Sequence, residues 1–493
     1  MSLINVKNLT FAYPGSFDNV FDNVGFKLDT DWRLGLVGRN GKGKTTLLRL
    51  LGGQYEYDGT IDSTVKFYYF PFEVKEKNQS VLNVLGELCP DAQSWEISKE
   101  LNLIGLGEEI GDRSFSTLSE GEKTRALLVA LFLAGDGFAL IDEPTNHLDM
   151  DSRRALGTYL SEKSGFILVS HDRRLLDRCV DHIMSINRAD IEIRKGNFSD
   201  WERDKENRDR LEQEQNCRLK KDMERLNEAA TRCAQWSDKT ESSKKGRNAG
   251  GLKPDRGYVG HKAAKMMKRS KVIELRRERA SEEKQALLKN VEETEDLKIF
   301  SQVYPKHSLM ELKDCSLFYG ERRVCGPLNF VVENGDRIVL SGKNGSGKSS
   351  VLKLAIGEPI THTGSFFAGQ GLKISYLPQS VDFLKGSLRD YALQRDIDES
   401  LLKTILRKLG LERTQLQKDM SEFSAGQKKK AALAACLCER AHLYVWDEPL
   451  NYVDVLSRIQ LERLLTSYTP TILFVEHDEA FVNNVATKVV CLG

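Results

Sequence analysis

The chain lacks several features that would assign it quickly to a class. Its longest apolar run, Ala126 to Ala134, is far short of the ~20 residues that a membrane-spanning helix needs. The first residues, Met1 to Lys7, hold no apolar stretch of signal-peptide length, so no membrane domain is expected. The nine cysteines are scattered without framework spacing, which excludes a disulfide scaffold and fits a reducing, cytoplasmic setting. Cys436 and Cys438 have half of a metal-site spacing, but they lie in the apolar stretch Ala431 to Leu437 and read as buried core. Net charge is only +1, which on average argues against a nucleic-acid binder and hides a local asymmetry. With 493 residues, 40% hydrophobic and 29% charged, the chain is expected to form two or three domains.

What the chain does have is an internal repeat. Gly38-Arg39-Asn40-Gly41-Lys42-Gly43-Lys44-Thr45 returns as Gly342-Lys343-Asn344-Gly345-Ser346-Gly347-Lys348-Ser349. Leu118-Ser119-Glu120-Gly121-Glu122 returns as Phe423-Ser424-Ala425-Gly426-Gln427, and Ile141-Asp142-Glu143-Pro144 as Trp446-Asp447-Glu448-Pro449. Val169-Ser170-His171-Asp172 returns as Val475-Glu476-His477-Asp478. The separations agree, with 99 residues from Lys44 to Glu143 and 100 from Lys348 to Glu448. Four motifs in one order and one spacing, twice, mark two homologous α/β domains, expected at 1–197 and 301–493. A charged linker at 198–300 joins them.

In each half a short apolar run leads into the glycines and a helical pattern follows, as a buried strand and helix should. Glycines at these positions let backbone N–H groups turn inward on phosphates, and the helix N-terminus adds its dipole. The candidate cradles are Gly38, Asn40, Gly41, Gly43, Lys44, Thr45 and Thr46, with Gly342, Asn344, Gly345, Gly347, Lys348, Ser349 and Ser350. Lys44 and Lys348 are expected to reach the β- and γ-phosphates, and Thr45 and Ser349 to ligate magnesium. Asp142 and Asp447 end apolar strands and would join the metal shell. Glu143 and Glu448 follow directly, placed to polarise an attacking water. His171 and His477 each follow a further strand, where they would sense the γ-phosphate.

This motif set resembles that of the ATP-binding-cassette (ABC) ATPases, over about four hundred residues of the chain. The resemblance implies ATP sandwiched head to tail between two such domains in one chain, with no obligate homo-oligomer. Lys44 would then share a site with Ser424, Gly426 and Gln427, and Lys348 with Ser119, Gly121 and Glu122. Tyr13 and Tyr319 match the position where an aromatic stacks on adenine. The magnesium-facing glutamine of the family is matched by Gln379 in Leu377-Pro378-Gln379, but Phe70-Pro71-Phe72 has phenylalanine instead. Phe72 cannot ligate a metal or orient water, so the Lys44 site is expected to hydrolyse slowly.

Two cassettes, no spanning segment and a long charged linker resemble the ABC-F class, as does Asn146-His147-Leu148-Asp149 after Asp142-Glu143-Pro144-Thr145. Asn451-Tyr452-Val453-Asp454 resembles it more loosely. The class implies a closed, ATP-bound form in the tRNA exit site of the ribosome, its linker pointing at the peptidyl-transferase centre. No arm is inserted before the first signature, and the chain ends soon after its last strand. These features look most like the Lsa/Vga-type antibiotic-resistance branch, whose members protect the large subunit from lincosamides, streptogramin A and pleuromutilins. A housekeeping ABC-F translation factor and the ATPase subunit of a drug exporter remain alternatives.

The linker's own residues are consistent with a ribonucleoprotein target. Leu219, Met223, Leu226, Ala230 and Cys233 make a thin apolar seam, and Met266, Ile273, Ala280 and Leu287 repeat every seventh residue as a partner seam. An antiparallel helical hairpin is expected, and a helix from Trp201 to Trp236 would extend roughly 54 Å. Its Gly-rich tip, about 237–262, and the residues beyond it are basic: eleven lysines and arginines from Lys239 to Lys271 oppose Glu241 and Asp255. Such a tip suits phosphate contact, and the resemblance to the ABC-F class implies 23S-type rRNA and P-site tRNA as what it meets. Tyr258, His261 and Met266-Met267 are candidates to stack or wedge among bases, the methionines equally for helix packing.

Overall fold

A computed structural model describes residues 3–492 other than 16–18, 73, 75, 136, 147, 187–190 and most of 209–296. Met1–Ser199 and Thr294–Gly493 gather into one compact unit, and Asp200–Glu293 into a second. In the second unit the described residues between 201 and 232, and between 261 and 276, are helical. Both expected seams lie outside the described residues, as do Tyr258, Met266 and Met267. Of the basic stretch only His261, Lys265, Lys268 and Lys271 are described.

The first unit contains the repeat in three dimensions. In the first half the strands run in the order Lys66–Phe70, Gly137–Asp142, Phe166–Val169, Arg33–Val37, His182–Ile186, Ile191–Lys195. All pairings are parallel except the last, which is antiparallel. The second half repeats this order with Ile374–Leu377, Leu443–Asp447, Ile472–Val475, Arg337–Ser341 and Lys488–Cys491, all parallel. The central strands are near-continuous apolar runs: Phe166–Val169 and Ile472–Val475 are buried at every residue, as a parallel sheet covered on both faces requires. Beside each lies a three-stranded antiparallel sheet, centred on Leu3–Phe11 and on Ser308–Tyr319. Among the described residues no helix is long and apolar enough to cross a membrane.

The registers fix the chemistry. Val169 pairs with both Leu36 and Asp142, and Val475 with both Leu340 and Asp447. The carboxyl ends of three neighbouring strands therefore deliver the Gly-rich loop, the Asp-Glu pair and the histidine to one edge, the usual ligand crevice of a parallel sheet. Each Gly-rich loop ends in a left-handed glycine, Gly43 at φ 88° and Gly347 at φ 92°, from which a helix starts. A Cβ on Gly43 would sit 2.7 Å from Val20 and 2.9 Å from Phe21, so both conformation and space demand glycine. Cys436 and Cys438 are packed in the apolar core of the second half, in agreement with the core reading.

That core also takes in charge. Lys430, on helix Ala425–Cys438, donates to the Leu409 carbonyl at 2.7 Å and pairs with the fully buried Asp454 carboxylate. Asp454 also caps helix Val455–Tyr468, accepting from the Ser457 N–H at 3.0 Å. Burial alone would raise the Asp454 carboxyl, but Lys430 beside it holds it well below the usual carboxylate range. Asp454→Asn keeps the cap and removes the charge, leaving a buried ammonium unpaired. The expected cost is about 3–5 kcal/mol, read by urea denaturation near pH 7. Because the folded-state pKa is depressed, the wild-type advantage is full above about pH 4 and is lost as the pH falls below it. The gap between wild type and variant should narrow there.

Candidate functional site

Each signature is the start of a helix. Ser119 accepts from the Glu122 N–H at 3.2 Å and Glu122 accepts from the Ser119 N–H at 2.8 Å; Ser424 and Gln427 repeat this reciprocal cap. Such a terminus presents N–H groups and a positive dipole end, suited to anions. The second of these termini closes a cavity over the first Gly-rich loop. Tyr13, Asn40, Gly41, Gly43, Lys44, Thr45, Thr46, Asp142, Glu143 and His171 line one wall. Gly410, Gln415, Ser424, Gly426, Gln427, Lys430 and Tyr452 line the other. It encloses about 1370 Å³ including its solvent mouth.

Contacts join the two halves at this cavity and beyond it. Asn40 Nδ2 donates to the Tyr452 carbonyl at 2.7 Å, Lys42 lies 3.6 Å from Glu412, and Arg458 donates to the His171 carbonyl at 3.0 Å. Arg173 pairs with Glu462 and Arg154 with Glu479. Arg458 and its counterpart Arg153 also hold Asp478 and Asp172, at 2.9 and 3.2 Å. At the Lys348 site the charge of Asp149, from the first half, acts on both Lys348 and His477.

Within each half the expected residues converge. Lys44 Nζ donates to the carbonyls of Gly38 at 2.8 Å and Arg39 at 3.3 Å, and to Asn40 Oδ1 at 3.2 Å. Lys348 Nζ does the same to Gly342 and Lys343 at 2.7 and 2.8 Å. The Thr45 hydroxyl acts on Asp142, and the Ser349 hydroxyl on Asp447. Burial raises both carboxyls, and these hydroxyls oppose the shift. A hydroxyl beside a carboxylate is the oxygen donor set magnesium prefers, and Asp447 Oδ1 is buried without a hydrogen-bond partner. The residues present therefore fit that ion.

Glu143 and Glu448 both take left-handed backbone conformations, φ 49° and 48°, uncommon for a side chain with a Cβ and frequent at reactive positions. His171 Nε2 lies 3.2 Å from Glu143 and 3.2 Å from Asn40 Oδ1, while His477 Nε2 lies 3.8 Å from Glu448. Burial pushes His171 well down and His477 down to about 4, so both imidazoles are neutral near pH 7. Burial pushes Glu143 up to about 7, against the pull of Lys44.

Tyr13 and Tyr319 are half exposed at matching places, with hydroxyls 2.7 Å from Thr46 and 3.4 Å from Ser350. Gln379 is exposed at the end of its strand, while Phe72 sets its ring edge-on to Phe70 at 6.2 Å. Sequence reasoning missed four contributors. Tyr69 donates to Asp142 at 3.2 Å; it stands one residue before Phe70-Pro71-Phe72, and its strand runs beside the Asp142 strand. Tyr452 enters through its backbone carbonyl, which no motif encodes. Lys429 and Lys430 sit in a run of three lysines that reads as solvated helix, yet they are 1% and 3% exposed.

Gly426 is packed against both halves. A Cβ there would lie 2.8 Å from the Tyr452 carbonyl oxygen of its own half and 3.4 Å from Asn40 Nδ2 of the opposite half. Gly426→Ala should therefore displace the Tyr452 carbonyl that Asn40 of the opposite half holds, at a cost of about 1–3 kcal/mol. The expected readout is up to roughly 150-fold weaker binding of an ATP analogue at the Lys44 cavity.

Known proteins share these features. The family described as ABC transporter matches residues 21–146 and 325–451, together just over half of the chain. ATP-binding protein Uup of Buchnera aphidicola subsp. Acyrthosiphon pisum is 27% identical over 507 residues, covering 99% of this chain and 80% of the relative. Ribosome protection protein VmlR of Bacillus subtilis is 28% identical over 479 residues, covering 96% of this chain and 83% of the relative. Among solved structures, the archaeal ribosome recycling factor aABCE1, in complex with the archaeal ribosomal stalk protein aP1, shares the fold. The match has a TM-score of 0.61 and 20% identity, covering 98% of this chain and 87% of that one. With two matched segments, each holding a Gly-rich loop and an Asp-Glu pair, this chain belongs to the ABC transporter family, binds ATP through that family's domain in two copies, and is an ATP hydrolase.

Proposed function

We propose that this chain is a ribosome-bound ATPase of the ABC-F class, whose two cassettes close on ATP and direct the segment between them at the large subunit. The observation that carries the reading is the Lys44 cavity, where the Gly-rich loop of one half is closed by the signature helix of the other. The similarity to a ribosome protection protein over 96% of the chain supports the ribosome as the target. The basic stretch from Lys239 to Lys271 supports contact with rRNA. An exporter subunit has no use for a long basic segment between its cassettes.

In each half the lysine, Lys44 or Lys348, lies at the mouth of its cradle to draw the β- and γ-phosphates in. Glu143 and Glu448 accept the proton of the attacking water as its oxygen bonds to the γ-phosphorus and the bond to the β-phosphate bridging oxygen breaks. Neutral His171 and His477 hydrogen-bond at the same point without adding charge. Thr45 with Asp142, and Ser349 with Asp447 and Gln379, would hold magnesium, which neutralises phosphate charge when bound. Tyr13 and Tyr319 are placed to stack on adenine. Phe72 removes a polar group from the first site, so the Lys348 site turns over faster.

Within this class the finer reading is protection of the large subunit from lincosamides, streptogramin A and pleuromutilins. ATP closure carries the interdomain segment toward the peptidyl-transferase centre, and hydrolysis releases the protein. Glu143→Gln with Glu448→Gln should trap the protein on ribosomes in ATP; co-sedimentation no greater than without nucleotide would overturn the ribosomal reading. Single-turnover hydrolysis should be slower in Glu448→Gln than in Glu143→Gln, and equal rates would remove the asymmetry. Expression in a drug-sensitive strain should raise the inhibitory concentration of a lincosamide or pleuromutilin. An unchanged value would favour a translation factor without a resistance role.

A further inference from the structure

Lys429 is 1% exposed, and its ammonium donates to three backbone carbonyls: Pro378 at 2.9 Å, Gln379 at 3.1 Å and Asp447 at 3.1 Å. An ammonium has three N–H donors, so each is matched by an acceptor. Two of those acceptors lie just beyond strand Ile374–Leu377, in the segment that carries Gln379. The third ends strand Leu443–Asp447, which carries the other magnesium-facing residue.

The first half is the internal control. Thr124 stands five residues after Ser119, as Lys429 stands five after Ser424. Its hydroxyl turns back to the Glu120 carbonyl of its own helix at 2.9 Å. The same half has Phe72 where the second has Gln379. The three-carbonyl clamp and the glutamine therefore occur together in one half, and the other half has neither. Packing alone is a poor account of Lys429, because taking an ammonium out of water costs several kcal/mol. Threonine at the matching place shows that the helix tolerates a small side chain there.

We propose that Lys429 is a positioning residue of the Lys348 site: it fixes the backbone of Pro378 and Gln379 against the end of the Asp447 strand and so sets where the Gln379 side chain stands. The proposal rests on the reading that the Lys348 site hydrolyses ATP with Gln379. The helix that carries Lys429 begins at Ser424, so the clamp also ties the Gln379 segment to the part of the chain that closes the Lys44 cavity.

The test is single-turnover hydrolysis by the full chain in a Glu143→Gln background, which silences the Lys44 site. Gln379→Ala and Lys429→Met should each slow the step by about ten- to a hundredfold, as expected for a group displaced by ~1 Å, with ATP affinity within about twofold. The double variant should be no slower than Gln379→Ala alone, because both changes remove one function. Lys429→Gln, whose amide supplies two of the three donors, should recover part of the rate; it also serves as the assay variant if Lys429→Met does not fold. Losses that multiply in the double variant, or full activity in Lys429→Gln and Lys429→Met beside a slow Gln379→Ala, would overturn the positioning role. Full activity in Gln379→Ala would overturn the reading of the site, and the proposal with it.

Discussion

The bond from Asn40 Nδ2 to the Tyr452 carbonyl is the constraint on which the site depends. It exists only when the Gly-rich loop of one half faces the turn after Glu448 in the other. That placement sets the Ser424 helix terminus opposite Lys44 and brings Arg458 to the His171 carbonyl. Each contact is modest alone, since a neutral hydrogen bond contributes roughly 0.5–1.5 kcal/mol net. Their joint effect is geometric: neither half supplies both walls of the Lys44 cavity.

The two halves share a framework and differ in their polar detail. Strand order and register repeat, the left-handed glutamates repeat, and so do the reciprocal caps of the signature helices. What differs surrounds the aspartates. Asp142 is met by Tyr69, beside a loop with Phe72; Asp447 has a free buried oxygen, beside a loop with Gln379 gripped by Lys429. Polar groups stay hydrogen-bonded when buried unless something else satisfies them. The difference is therefore chemical and concentrated where metal and water would meet.

Much of this was legible in the sequence because the duplication made each motif its own check. The apolar runs before Gly38 and Gly342, and before Asp142 and Asp447, gave the strands, while their order in the sheet emerged only in three dimensions. The head-to-tail pairing of Lys44 with Ser424 came from family resemblance, and no local pattern carries it. Backbone acceptors such as the Tyr452 carbonyl were invisible because every residue has one. Lys429 and Lys430 were misleading for a physical reason: adjacent lysines on a helix normally face water. Only the tertiary arrangement supplies the carbonyls and the Asp454 carboxylate that make their burial tolerable.

Asn40 and Tyr452 are 412 positions apart. During synthesis at ~5–20 residues per second, the first Gly-rich loop leaves the ribosome roughly 20–80 s before its opposite wall exists. Over that interval the nascent chain carries a half-built phosphate cradle that has no lid. Completion of that site waits for the second half, so ATP hydrolysis there by a truncated or stalled chain is limited by architecture before it is limited by chemistry.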